Sequence, residues 1–487
     1  MASMAGVAAA VGNQLKRPAR LQRSIAMADD AVISYVKAHE QENLTELFEF
    51  LRIPSVSAQP AKHGKDIERA ASMLASMMRS AGVENVELVK TPGNAIVYGD
   101  WLHAGPNAPT VLLYGHYDVQ PPEPLDLWTT PAFEPTLRDG RIYARGSTDD
   151  KGQVHAQIKA IEAHLKTTGK LPINVKFFYE GEEEVGSKNL DEAIEAHKQR
   201  LACDVVLISD TAQKGENDPA ITYSLRGLIY FQVDVTGPNS DLHSGTWGGA
   251  LANPNEALVQ ALAKVKDAKT GKVKIPGFYD NVKVTPAERA ALKKSGMSEA
   301  ALKKAMGITA LWGEKGYTGS ERTTLRPTFE INGIYGGYQG DGAKTVIPSH
   351  AHAKVSMRLV AGQDASKIQK NFVKFLKTQF LPGVDVKVTQ LSQGYGAKVP
   401  LDHPAVQAAA RALQQAYGKK PYYLAEGGSI PVVATFQKVL GVDTVLMGFG
   451  GHDENAHAPN EFFRVANYHR GTQAVARFFS EVAKERL

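Results

Sequence analysis

Short, nearly unbroken apolar runs recur along the chain. "AIVYG" (95–99), "TVLLYG" (110–115), "INVKFFY" (173–179), "DVVLISD" (204–210) and "DTVLMGFG" (443–450) have the pattern of strands buried on both faces. Helical spacing fills the intervals. In "DKGQVHAQIKAIEAHLKTTG" the apolar residues Val154, Ile158, Ile161 and Leu165 return every three or four positions. A helix is predicted from Asp30 through "AVISYVKAHEQENLTELFEFL", ending before Pro54, and another in "HPAVQAAARALQQAYG". Strands alternating with helices predict an α/β fold, a mostly parallel sheet flanked by helices.

After Leu225 the pattern changes. "RGLIYFQVDVTG" (226–237) and "HAKVSMRLV" (352–360) alternate strictly, as strands wetted on one face do. "DASKIQKNFVKFLKTQF" (364–380) is an amphipathic helix, and the Lys-rich stretch 264–327 has no assignable element. The parallel-sheet pattern returns near residue 395. The predicted organisation is a leader or extension over 1–27, a larger domain in two pieces (28–225 and 394–487), and a smaller inserted α+β domain over 226–393.

Composition narrows the function classes. With 487 residues the chain exceeds what one core serves, and 56 basic against 51 acidic residues leave a formal charge of only +5. No long basic block is present, which argues against nucleic-acid or membrane-surface partners. No apolar stretch is long enough to span a bilayer. One cysteine, Cys203, excludes an internal disulfide and a cysteine-rich zinc site, so any metal is expected to be held by oxygen and nitrogen. The first 26 residues are Ala-rich and basic and lack Asp and Glu; they read either as an organelle leader or as an extended start ahead of Met27. Cytoplasm is the expected compartment.

The chemistry gathers where the strands end. "TVLLYG" runs into His116 and Asp118, "INVKFFY" into Glu180, Glu182, Glu183 and Glu184, "DVVLIS" into Asp210, and "DTVLMGFGG" into "HDENAH". "ARGSTDDKG" adds Asp149 and Asp150 ahead of a helix. Singly these have plain readings: a loop histidine, an N-cap, a turn aspartate, a solvated charge run. Together, at the rim where open α/β sheets bind ligands, they suit one or two divalent metals such as zinc or manganese. His452 and His457 are both open as the C-terminal ligand, and His155 and His164, within the helical stretch, read as surface residues. Alternation in "HAKVSMRLV" puts Arg358 on a polar face, where a guanidinium can bind a carboxylate through two hydrogen bonds. Neither a phosphate-binding G-x-x-x-x-G-K-[ST] nor a well-placed G-x-G-x-x-G is present.

"GHYDVQP", "YARGSTDDKG", "EGEEEVGS", "ISDT", "DLHSG", "AKTVIP", "EGGSIP" and "HAPNE" occur in an order and spacing that resemble M20 metallopeptidases, the carnosinase-like dipeptidases most of all. Ala458 and Pro459 depart from the Ser that relatives often carry after the final histidine. The resemblance, which covers residues 30 to 487, implies a zinc-exopeptidase-like catalytic domain with an inserted lid and dimerisation domain. It assigns His116 and Asp210 to one divalent ion, Glu184 and His457 to another, and Asp149, followed by a cis peptide, to both. Asp118 would orient His116, and Glu183 would be the general base on the metal-bridging water. His243 would stabilise the oxyanion in the neighbouring subunit's site, which requires a homodimer. Arg358 would hold the substrate carboxylate, with Thr345 and Ser429 in support. The implied reaction is dipeptide hydrolysis; the alternatives are an N-acyl-amino-acid deacylase or a carboxypeptidase of the same fold.

Overall fold

The computed structural model describes residues 19–428 and 430–487. Its largest sheet runs in the order Glu84–Val89, Ile96–Trp101, Asn174–Glu180, Thr110–His116, Val205–Ile208, Thr444–Leu446, Ala220–Leu225, Ala397–Lys398, with Tyr422–Glu426 also paired to Ala220–Leu225. The central strands Asn174–Glu180, Thr110–His116, Val205–Ile208 and Thr444–Leu446 are mutually parallel. Antiparallel pairs flank them. The fold is thus α/β with a mainly parallel central sheet.

The unbroken apolar runs follow from burial on both faces. Val111 and Leu113 face a core closed by the helices Glu40–Leu51, Pro60–Ala81, Lys151–Thr168, Pro404–Tyr417 and Val465–Val482. Leu112 and Tyr114 point the other way, onto Leu190, Ile194 and Phe436. Each such side chain contributes roughly 1.5–3 kcal/mol on leaving water.

Two expectations are corrected. The single helix expected from Asp30 is two, Ala19–Ala38 and Glu40–Leu51, broken at His39, and the first begins well before Asp30. His155 and His164 are not surface residues. The helix Lys151–Thr168 crosses the sheet with nearly every side chain covered, and its polar groups find buried partners. His155 Nδ1 lies 2.8 Å from the Tyr468 hydroxyl, His164 Nε2 lies 3.0 Å from the Ala476 carbonyl, and Lys151 Nζ donates to the Phe50 and Ile53 carbonyls.

A second sheet, in the order Thr328–Gly336, His350–Leu359, Gly227–Thr236, Asp385–Gly394, is antiparallel throughout. Ile229, Phe231, Val233 and Val235 face the helices Pro254–Ala263 and Ala365–Lys377, while the alternate residues face outward. The outgoing and returning chains touch at the boundary of the two sheets, where a Cβ on Gly227 would sit 2.6 Å from Gly396 N. The Lys-rich stretch forms the helices Pro286–Ser295, Glu299–Met306 and Gly319–Thr324. They return to the large sheet through a small cluster of Leu292 and Leu325 against Tyr223 and Ala425. Among the described residues no helix is long and apolar enough to cross a membrane.

Candidate metal centre

Each element of the rim ends by turning a polar side chain toward one place. His116 is the last residue of Thr110–His116 and is fully buried. After Val205–Ile208 the chain folds so tightly that Thr211 N donates to the Ser209 carbonyl at 2.7 Å, turning Asp210 out at the tip. Asp149, joined to Asp150 by a cis peptide, precedes the helix Lys151–Thr168. His457 sits in a loop with the left-handed backbone (φ 62°) that Asn455 and Asn460 share. Strained φ values at non-glycine residues persist only where the surroundings hold them.

The four glutamates after Phe177–Tyr179 divide into two pairs. Glu180 is buried and accepts from the Tyr114 and Ser187 hydroxyls, and Glu182 accepts from the Asn189 amide at 2.8 Å. Glu183 and Glu184 open the short turn Glu183–Val185, which Glu184 N ties to Asp118 Oδ2 at 3.1 Å. Glu184 joins the cluster, whereas the Glu183 carboxylate accepts no hydrogen bond among the described residues.

The centre pivots on Asp149. Its Oδ1 lies 3.1 Å from His116 Nε2, and its Oδ2 lies 2.9 Å from His457 Nε2. Asp210 Oδ2 is 3.8 Å from His116 Nε2, and Glu184 Oε2 is 3.2 Å from His457 Nε2. Two triads result, His116–Asp149–Asp210 and Asp149–Glu184–His457, each with its ligand atoms within 4.8 Å of one another. Of the two C-terminal histidines, His457 enters the cluster; His452 Nε2 lies 3.7 Å from Glu426 instead. His116 Nδ1 is held by the Asp118 backbone carbonyl at 3.0 Å and by its carboxylate at 3.4 Å.

The electrostatics are those of too many acids in one place. Burial and then the Asp149 charge push Asp210 well above the usual carboxylate range. Burial pushes Glu183 up to about 7, helped by Glu184, Asp149 and Asp118 and opposed by His116. Hydrogen bonds to Asp149 and Glu184 raise His457 to about 10. Among the described residues the buried Glu184 Oε1 has no hydrogen-bond partner, and Asp118 Oδ1 has only the long 3.4 Å approach of His116 Nδ1. Three carboxylates, two imidazoles and an unpartnered buried oxygen form a donor set that suits hard-to-borderline divalent cations. The residues fit such ions.

Three further residues emerge only from the coordinates. Gln120 donates to Glu184 Oε2 at 2.8 Å. Glu461, at the end of "HAPNE", accepts from Arg145, Gly146, Thr148 and Asp149. Arg226 links the two sheets, its backbone N–H donating to the Gly428 carbonyl and its Nε to that of Gly427. Gln120 and Glu461 lie inside the quoted motifs, so position in a motif was their available signal.

The expected substrate contacts stand apart from the cluster. His243 and Thr345 meet in the ribbon Leu242–His243 with Val346–Ile347, where Ser244 N donates to the Thr345 carbonyl and His243 Nδ1 accepts from Thr246 N. Arg358 lies on the outward face of His350–Leu359. No hydrogen bond or ion pair joins these residues to the carboxylates among the described residues. Ser429 lies outside the described residues.

The family model for "Peptidase family M20/M25/M40" matches residues 112–481. A Cys-Gly metallodipeptidase of Schizosaccharomyces pombe is 33% identical over 474 residues, spanning 94% of this chain and 99% of that protein. The crystal structure of human carnosine dipeptidase 1 superposes with a TM-score of 0.74 at 31% identity, covering 96% of this chain and 100% of the other. An M20 family metallo-carboxypeptidase from Sulfolobus solfataricus superposes with a TM-score of 0.78 at 33% identity, over 91% and 99%.

Proposed function

The chain belongs to peptidase family M20/M25/M40 and is a peptidase; from that premise we propose that it hydrolyses dipeptides at a dinuclear metal centre. The observation that carries the reading is the division of Asp149, one oxygen toward His116 and the other toward His457. A carboxylate with each oxygen in a different triad is the corner that two ions would share. His116, Asp149 and Asp210 would hold one ion, and Asp149, Glu184 and His457 the other, with zinc and manganese the natural candidates.

When bound, such ions polarise the scissile carbonyl and acidify water. Glu183 is the general base: it takes a proton from the attacking water and passes it to the leaving amine. An acid raised toward 7 is well matched to both transfers at neutral pH. Asp118 fixes the ring of His116 through Nδ1, which leaves Nε2 free to bind. Arg358 holds the free carboxylate of the substrate, and His243 donates to the oxyanion from a second copy of the chain in a homodimer, with Thr345 and Ser429 in support. The dipeptide preference draws on the S. pombe and human relatives, whose names specify dipeptidases.

The test is a substrate panel. Chelated protein is reloaded with zinc, manganese or cobalt and offered Ala-Leu, acetyl-Leu and Ala-Ala-Leu. Cleavage of Ala-Leu well ahead of the others is expected. Preference for acetyl-Leu would make it a deacylase, and preference for the tripeptide a carboxypeptidase.

A further inference from the structure

Arg226 is the one residue between the last strand position of the large sheet, Leu225, and the first of the second sheet, Gly227. Across the second sheet Gly227 pairs with Leu359 and Leu228 with Arg358. Side chains alternate along a strand, so Arg226 and Leu228 share a face, and Arg358 stands on that same face diagonally across from Arg226. This is the outward face, opposite the apolar side packed on the helices.

Two guanidinium groups so placed repel unless something negative lies between them. Neither Arg226 nor Arg358 has a carboxylate within ion-pair distance among the described residues, and only the more distant Glu330 charge acts favourably on Arg226. Glu330 is on the same face, but it pairs with Lys266 at 3.4 Å. Burial and then the charge of Arg358 bring the Arg226 guanidinium down to about 10.

Arg226 is also held in place. Its backbone N–H donates to the Gly428 carbonyl at 3.0 Å and its Nε to the Gly427 carbonyl at 3.2 Å, and its terminal nitrogens donate to no acceptor among the described residues. A Cβ at Gly427 would meet Arg226 Nη2 and the Thr323 carbonyl, each at 2.9 Å, so glycine admits the guanidinium to this wall. A fixed guanidinium loses little freedom on binding an anion.

We propose that Arg226 and Arg358 together form the subsite for the substrate's free carboxylate, with the Gly427–Gly428 backbone as its wall and Arg226 as a specificity-determining residue. The inference rests on the peptidase reading above and deepens it. Arg358 offers its whole planar fork, and Arg226 adds two N–H-bearing nitrogens from the side of the large sheet. A free α-carboxylate is thereby gripped from both sheets at once, whereas a carboxamide brings no charge to separate the two cations.

The experiment compares wild type, Arg226→Met and Arg226→Lys on Ala-Leu and Ala-Leu amide by steady-state kinetics. For Arg226→Met we expect kcat/KM on Ala-Leu to fall about tenfold to a hundredfold, mostly through KM, with the amide changing less than about twofold. Arg226→Lys, which keeps the charge and the stem, is expected to recover part of the preference for the acid. It also carries the test should Arg226→Met not fold. Equal losses on acid and amide, or no loss on either, overturn the proposal. Should wild type cleave acetyl-Leu instead of Ala-Leu, the dipeptide reading fails, but the same ratio is measured on acetyl-Leu and its amide. The two claims therefore fall separately.

Discussion

Glu461 Oε1 accepts the backbone N–H of Asp149 at 3.2 Å, although 312 residues of chain separate the two. The same oxygen accepts from Thr148 N at 3.0 Å, and Oε2 accepts from Gly146 N and from Arg145 Nη1 at 2.7 Å. One buried carboxylate thus satisfies the loop that carries the shared aspartate. It belongs to the segment that carries His457, so both sides of the centre are set by one group. Replacing Glu461 by Gln turns one acceptor into a donor that faces N–H groups. We expect zinc affinity, measured by calorimetry on chelated protein, to weaken about tenfold to a hundredfold. Unchanged affinity would show that the loop keeps its shape without this carboxylate.

The Glu183 carboxylate has no hydrogen-bond partner among the described residues and is not one of the cluster's ligand groups. Glu183→Gln is therefore expected to bind metal as wild type does, by elemental analysis, while turnover falls by about a hundredfold to ten-thousandfold. Full activity in this variant would remove Glu183 from proton transfer.

Metal should also act on stability. The crowded acids repel one another in the folded chain, and a dication relieves that repulsion only when they are brought together. At a free metal concentration a hundred times the dissociation constant, linkage gives about 2.7 kcal/mol of added stability. The melting temperature of chelated protein should rise on titration with zinc or manganese. Substituting Asp149 by Ala should abolish the rise; a rise that survives would place the ions elsewhere.

Behind the centre, Glu46 receives Lys159 and lies 3.0 Å from His155 Nε2. Burial pushes Glu46 up, but the hydrogen bonds and charges of His155 and Lys159 outweigh it and hold the group at about 2. An acid depressed on folding stabilises fully above its unfolded pKa, and that contribution is lost as pH falls from about 4.5 toward 2. Glu46→Gln should lower the melting temperature at pH 7, and the gap to wild type should shrink across that window. A gap independent of pH would mean that shape, not charge, is what Glu46 supplies.

Gly448 crosses the chain beside the Asp210 turn, where any Cβ would press on the carbonyl oxygens of Ser209 and Thr211. Gly448→Ala is expected to cost about 1–3 kcal/mol by denaturant unfolding and to weaken metal binding as Asp210 is displaced. Loss of stability alone, with metal affinity intact, would show that the turn absorbs the methyl group.

The central strands were legible because burial on both faces leaves an unbroken apolar run, and their termini carried the polar residues of the centre. What escaped the linear reading depends on partners far along the chain. His155 and His164 are covered by Tyr468 and Ala476, which no local pattern announces. The break at His39 was hidden because helical spacing continues through it. The Lys-rich stretch did carry usable signals: Thr285 with Glu288, and Thr318 with Glu321, form reciprocal capping boxes at the starts of two of its helices. Their low apolar content masked them. Glu461 shows a different limit, since an acid whose task is to accept backbone N–H groups looks like any surface glutamate.

Among the described residues the second sheet and its helices are tied to the large sheet at several places: the glycine crossing of Gly227 and Gly396, the Arg226 bonds to Gly427 and Gly428, the contact of Leu292 and Leu325 with Tyr223 and Ala425, and the Lys398–Glu288 ion pair. A shift of Arg358 against the large sheet would therefore strain these ties, and Arg226, held at the crossing itself, would move least.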